Sequence, residues 1–213
     1  MRAIIIGAGG FGKELAFLLS RQSVYDLVGF VDDAKMKDEK IVGIPVLGKI
    51  DILKKMKLKT AVFIGIASPR MREKIFLELK ANNHLTFPNL IDATAIVGLN
   101  VRIGVGNILM PYTTYTADIT IGDFNMFNIH STIGHDSKIG NYNSIYPNVN
   151  LSGYTVMGNR NEIGVGTKVI PEVSIGQGNI IGAGSVIVKD IQNNTKSVGV
   201  PAKIIESWDY DEK

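Results

Sequence analysis

Two stretches of the chain hold residues whose types and spacing can do chemistry. The first is Asn128 to Asp136, which reads Asn-Ile-His-Ser-Thr-Ile-Gly-His-Asp and ends with an imidazole beside a carboxylate. An exposed His next to an acidic side chain can act as a general base, because imidazole changes charge near neutral pH and the carboxylate supports its protonated form. The second is Gly7-Ala8-Gly9-Gly10-Phe11-Gly12, set between the β-branched run Arg2 to Ile6 and a helical pattern from Lys13 to Ser20. Strand, Gly-rich turn and helix in that order bring backbone amides close to a phosphate, with the helix N-terminus facing its charge. A further strand, Leu27 to Val31, ends at Asp32-Asp33, where carboxylates would meet a ribose or a base.

The elements that must position these groups follow two different periods. From Ile91 to Gln192 an aliphatic or aromatic residue recurs at every sixth place: Ile91, Val97, Ile103, Leu109, Tyr115, Ile121, Phe127, Ile133, Ile139, Ile145 and onward to Ile187. A helix needs apolar residues near every 3.6 positions and a half-buried strand at every second, so a strict six calls for a ribbon that turns a corner in each hexad. Gly often follows the ladder residue, and small, apolar or Asn residues stand four after it, as at Asn107, Asn125 and Asn143, which suits the inside of a narrow tube. His135 lies two after Ile133 with Gly134 between them, so its side chain is expected outside the tube.

Before the hexads the pattern is α/β. Thr60 to Ile66 reads as a strand, with Ser68-Pro69 as N-cap and first residue of a helix running to Lys80. Gly43 to Gly48 reads as a turn-rich connection. An acidic residue about 20 positions after the last Gly also suits a dinucleotide fingerprint. A complete dinucleotide fold has two mononucleotide halves, and only one is visible. The plain alternative is a tight turn in a small α/β domain.

Composition bounds the function classes. The 213 residues are 45% hydrophobic and 20% charged, an ordinary globular balance for one domain or two small ones. Net charge is +3 with 23 basic residues interspersed among 20 acidic ones, which gives nucleic-acid binding little support. The runs Lys35 to Lys40 and Lys54 to Lys59 read as solvated faces. Cysteine is absent, so disulfides, thiolate catalysis and Cys-ligated zinc are excluded, in keeping with a reducing cytoplasm. The apolar run Ala3 to Ile6 is too short for a membrane span or a signal h-region.

The hexads resemble the repeat of the left-handed parallel β-helix acyltransferases, in which three hexads make one triangular coil of about 18 residues. A half-Rossmann unit joined to such a tube resembles, more narrowly, the NeuD/PglD-type sugar O- and N-acetyltransferases. The matching motifs are GAGGFGKE, GFVDD, Gly65 with Pro69-Arg70, NILMPYT, GHDSKIG, LSG, IGAGSV with KDI, and GVPAK at Gly199 to Lys203. The resemblance implies an α/β half-Rossmann domain for nucleotide-sugar binding over 1–88. It implies an all-β left-handed β-helix that binds acyl-CoA and carries the chemistry over 89–213, ending in a C-terminal tail. It implies His135 as catalytic base, Asp136 as its acidic neighbour and the Gly153 amide as donor to the thioester oxygen. Gly9, Gly10, Phe11, Asp32, Asp33 and Gly65 would line the nucleotide-sugar site and Asn128 would stand near the acceptor. Ser144, Gly153, Val165 and Ala183 would touch acetyl-CoA. The implied enzyme is a cytoplasmic homotrimer in surface polysaccharide synthesis. It would use acetyl-CoA as co-substrate, with no tightly bound cofactor or metal and no nucleic-acid or membrane partner.

Two positions depart from the family pattern. Phe11 stands where some members carry His in the Gly-rich turn, and Ser144 stands where some carry a second His near the thioester. Two other readings are compatible with the chain. One is a nucleotide-sugar-binding scaffold without activity. The other is a zinc enzyme like the γ-class carbonic anhydrases, whose ligand spacing His130 and His135 share; its third ligand would fall at Thr94, and a catalytic zinc needs three.

Overall fold

The unbroken apolar run of β1 (Arg2–Ile6) makes the centre of a parallel sheet, since a strand covered on both faces needs no polar alternation. The computed structural model describes residues 1–209, and the chain divides into two units, Met1–Leu90 and Ile91–Lys213. In the first unit α1 (Gly10–Ser20) follows β1, then come β2 (Asp26–Val31), β3 (Lys40–Ile41), β4 (Ile44–Gly48), a 3-10 helix (Ile50–Lys55), β5 (Thr60–Ile64), α2 (Pro69–Leu79) and β6 (Leu85–Thr86). The sheet order is β3-β4-β2-β1-β5-β6, parallel except where β3 meets β4.

Three local expectations change. Ile44–Gly48 is a strand rather than a turn-rich connection: it pairs parallel with β2 and antiparallel with the two-residue β3. Its Pro and flanking glycines hid a short pattern in which Val46 alone is buried. The first helix begins at Gly10 rather than Lys13, because first-turn amides need no intrahelical acceptor and glycine is tolerated there. The strand starting at Thr60 ends at Ile64, short of the expected Ile66. Ser68 and Pro69 do open α2 as N-cap and N1, although the Ser68 hydroxyl makes no capping bond.

In the second unit the hexads wind into a tube with three faces. Face I carries Leu90–Ile91, Ile108–Leu109, Met126–Phe127, Ser144–Ile145, Glu162–Ile163 and Ile180–Ile181; face II carries Ile96–Leu99, Thr114–Ala117, Thr132–Ile133, Asn150–Leu151, Lys168–Val169 and Val186–Ile187. Face III carries Arg102–Ile103, Thr120–Ile121, Lys138–Ile139, Val156–Met157 and Ser174–Ile175. Every neighbouring pair is parallel and in register, so ladder residue stacks on ladder residue. From Leu109 to Ile187 the ladder is buried inside, each aliphatic side chain contributing about 1.5 to 3 kcal/mol. Ile91 and Val97 are 37% and 42% exposed, because no coil lies beneath the first one to cover them. The strand Thr195–Gly199 continues face I and folds back as an antiparallel hairpin with Ala202–Ser207.

Candidate active site

Each coil turns three corners, and the third residue of nearly every corner has a left-handed backbone conformation, as at His130, Asp136, Tyr142, Asn148 and Tyr154. Call the corner from face I to II the first, from II to III the second, and from III to I the third. His135 and Asp136 sit on the second corner, one coil before Gly153 and Tyr154. Asp136 has φ 59, a conformation that Asp tolerates better than most residues, and from it the carboxylate reaches His135 Nδ1 at 2.8 Å. An ionised carboxylate only accepts, so Nδ1 carries the proton and Nε2 presents a lone pair. The imidazole is 57% exposed and lies over the backbone of Gly153, where an added Cβ would stand 2.7 Å from Nε2. Tyr154 donates its amide to the His135 carbonyl at 2.8 Å and sets its ring at 87° to the imidazole, with centroids 5.2 Å apart.

The second residue of each corner decides where amides stay open. At the third corner the amides of Val105, Asp123, Asn141 and Gln177 are capped by the side-chain oxygens of Asp123, Asn141, Asn159 and Asn193, all at 2.7 or 2.8 Å; among the described residues Asn159 has no such cap. At the first corner Pro111 and Pro147 have no amide hydrogen, and Asn128 Oδ1 accepts from Ile129 at 2.7 Å. By contrast, among the described residues the amides of His135 and Gly153 at the second corner, and of Val165 and Ala183 at the first, donate to no acceptor. The motif match singled out all four residues, His135 for its side chain and the other three as contacts to acetyl-CoA. Gly134 keeps the Gly153 amide uncovered, since a Cβ there would come within 2.4 Å of its nitrogen.

Two expected positions look different in three dimensions. Ser144 is wholly buried in face I, in register between Met126 and Glu162, so its side chain is not open to solvent in the single chain. Asn128 is 7% exposed with its oxygen engaged at its own corner. His130 stacks on Tyr112 at the first corner (centroids 5.1 Å, 12°), away from His135, and Thr94 is hydrogen-bonded to Asp92. Among the described residues no three His, Cys, Asp or Glu side chains gather as a metal site.

In the first unit the Gly-rich turn is a cradle with distinct parts. Gly7 (φ +92), Gly12 and Gly65 are demanded by the chain: a Cβ on Gly12 would lie 2.0 Å from the Gly7 carbonyl, and one on Gly65 2.9 Å from Gly12 Cα. Gly9 and Gly10 are exposed and a Cβ on either meets nothing within 4 Å, so their smallness leaves room above the first turn of α1. Phe11 is half-buried. Asp32 accepts from the Ala8 amide at 2.7 Å and the Ala34 amide at 2.8 Å, and Asp33 accepts from Ile50 at 2.9 Å. Both carboxylates therefore brace the backbone, Asp32 tying β2 to the turn. Arg72, buried on α2, donates to the carbonyls of Ile66 and Ala67 just after Gly65. Nothing in its local sequence marks it, because it is one cation on a charged helix.

Comparison with known proteins places this architecture. Residues 2–79 match the family model for the PglD N-terminal domain. WeeI from Acinetobacter baumannii AYE is 30% identical over 96% of this chain and 100% of its own, with a TM-score of 0.87. PerB from Caulobacter crescentus, solved with CoA and GDP-perosamine, is 32% identical over 97% of this chain and 98% of its own, with a TM-score of 0.83. The chain belongs to the NeuD/PglD-type family of sugar acetyltransferases. It is an acyltransferase, and its tube is the left-handed parallel β-helix of that family. A further NeuD/PglD-type relative, the acetyltransferase domain of PglB from Neisseria gonorrhoeae FA1090 in complex with acetyl coenzyme A, is 28% identical over 96% of this chain and 98% of its own, with a TM-score of 0.87. No curated protein matched the sequence.

Proposed function

We propose that this acyltransferase moves an acetyl group from acetyl-CoA to an amino or hydroxyl group of a nucleotide-linked sugar, with His135 as general base. The observation that carries the proposal is the His135 imidazole, oriented by Asp136 and poised over the open amide of Gly153. Nε2 takes the proton from the acceptor as its nitrogen or oxygen attacks the thioester carbon. The carbonyl oxygen becomes an oxyanion, which the Gly153 N–H stabilises by roughly 2.7 to 4 kcal/mol if it behaves like known oxyanion donors. Collapse of the intermediate breaks the carbon–sulfur bond, and the imidazolium returns its proton to the departing sulfur, giving free CoA and regenerated base. The open amides of Val165 and Ala183 would bind the amide groups of the CoA arm.

Support for these ligands comes from relatives: the PglB domain holds acetyl coenzyme A, and PerB holds CoA and GDP-perosamine. The half-Rossmann unit would hold the nucleotide over Gly9 and Gly10, with the α1 amides facing phosphate. A homotrimer fits the chemistry, because acyl transfer needs water excluded and an imidazole 57% exposed in one chain needs a neighbouring copy as cover. The cytoplasm, where acetyl-CoA and nucleotide sugars are available, is the fitting location, and no helix among the described residues is long and apolar enough to cross a membrane.

The test is thiol release from acetyl-CoA with a panel of UDP-, dTDP-, GDP- and CMP-linked amino and hydroxy sugars. Steady turnover with one acceptor is expected. Tight binding of a nucleotide sugar without thiol release from any of them would instead mark a scaffold.

A further inference from the structure

Corner aromatics elsewhere in the tube stack along their own column. Tyr112 lies flat on His130 one coil on, and Phe124 on Tyr142, with ring planes 12° and 7° apart. Tyr154 does otherwise. Its column neighbours are Asp136 one coil before and Glu172 one coil after, and all three have left-handed backbones. With no ring to stack on, it meets the imidazole of His135 edge to face, at 5.2 Å and 87°, while its own amide holds the His135 carbonyl. The imidazole is thus held by Asp136 through Nδ1, by the Gly153 backbone beneath and by Tyr154 from the side.

We propose that Tyr154 is a positioning residue for His135, its ring fixing the imidazole over the Gly153 amide. This rests on the reading of His135 as base. An edge-to-face pair is worth enough to select one rotamer of an otherwise exposed ring.

Tyr154→Gly and Tyr154→Phe in the full chain separate the alternatives. Gly suits the backbone, so the variant folds. Its kcat should fall about tenfold, the scale of a lost aromatic pair, with the acetyl-CoA KM unchanged. Phe keeps the ring and should restore kcat to near wild type. In NMR spectra the Cε1 and Cδ2 proton resonances of His135, displaced by the Tyr154 ring current, should stay in place in Tyr154→Phe and move in Tyr154→Gly. A Tyr154→Gly kcat within twofold of wild type, unmoved His135 resonances, or a Phe variant as impaired as Gly would each overturn the proposal. His135→Ala in the same assay distinguishes failures: if it retains kcat, the base assignment itself falls. If it collapses while Tyr154→Gly is silent, only the role of Tyr154 falls.

Discussion

The third and second corners of the tube are turned by the same hexad yet differ in how their polar groups are paired. Inside the third corner hang Asn107, Asn125, Asn143, Asn161 and Asn179, each within 1% of full burial and, save for the Nδ2 of Asn179 at the end of the file, hydrogen-bonded. Asn143 shows the pattern: its Nδ2 donates to Asn125 Oδ1 at 3.0 Å and to the Gly158 carbonyl at 2.9 Å, and its Oδ1 accepts from the backbone and side chain of Asn161. A second file of Asp and Asn caps most amides outside. At the second corner the inside places are Val101, Ile119, Ser137, Thr155 and Val173, and the outer amides of His135 and Gly153 donate to no acceptor among the described residues. Buried polar groups in proteins are almost always paired, so a corner that pairs them with its own side chains is scaffold. One that leaves them open beside an exposed imidazole can receive a substrate.

The sharpest test of this contrast is at the open corner. His135→Ala should lower kcat by roughly 10²-fold or more while acetyl-CoA still binds by calorimetry, since the imidazole acts in the transition state. A few-fold loss would remove the contrast altogether. At the closed corner, Asn143→Val should leave activity per folded molecule unchanged and destabilise the protein by about 2 to 4 kcal/mol in a urea titration, because it orphans partners above and below. Loss of turnover without loss of stability would mean that the third corner also serves chemistry.

Smaller effects refine the picture. Asp136→Asn should lower kcat about tenfold, less than loss of the base, because the amide can still touch Nδ1 but no longer supports the imidazolium. Equality with His135→Ala would make the carboxylate an equal partner in the reaction. The smallest change concerns Tyr115, the one ladder residue with a hydroxyl, which is wholly buried; Thr113 is its polar neighbour, but the Thr113 hydroxyl already donates to the Met110 carbonyl and no well-formed hydrogen bond reaches the phenol among the described residues. Burial holds its phenol well above the ordinary value of 10.0. Tyr115→Phe should be neutral or stabilising by about 1 kcal/mol near pH 7. The unfolded chain can ionise this phenol and the folded tube cannot, so the wild type should lose stability relative to the variant as pH rises above 10. A clear loss of stability in the variant at neutral pH would show that the hydroxyl is satisfied inside the tube.

Residue order alone carried the tube, the Gly-rich turn and the pair His135–Asp136. A period of six calls for a ribbon that turns a corner in each hexad, with the left-handed coil supplied by the family resemblance, and a side chain two places after a buried ladder residue points outward. Motif likeness pointed to Gly153, Val165 and Ala183, but not to the fact that their amides, like that of His135, donate to no acceptor among the described residues. Tertiary structure alone decided the rest. It buried Ser144 in face I, turned Asp32 and Asp33 onto backbone amides, found a strand at Ile44–Gly48, and brought Tyr154 against His135. Inside the tube these outcomes depend on residues 18 positions apart being stacked one coil on another; in the first unit they depend on which backbone amides and strand edges the parallel sheet brings within reach. A periodic pattern fixes where each residue stands along the tube, but exposure and pairing are set by its neighbours across the coils.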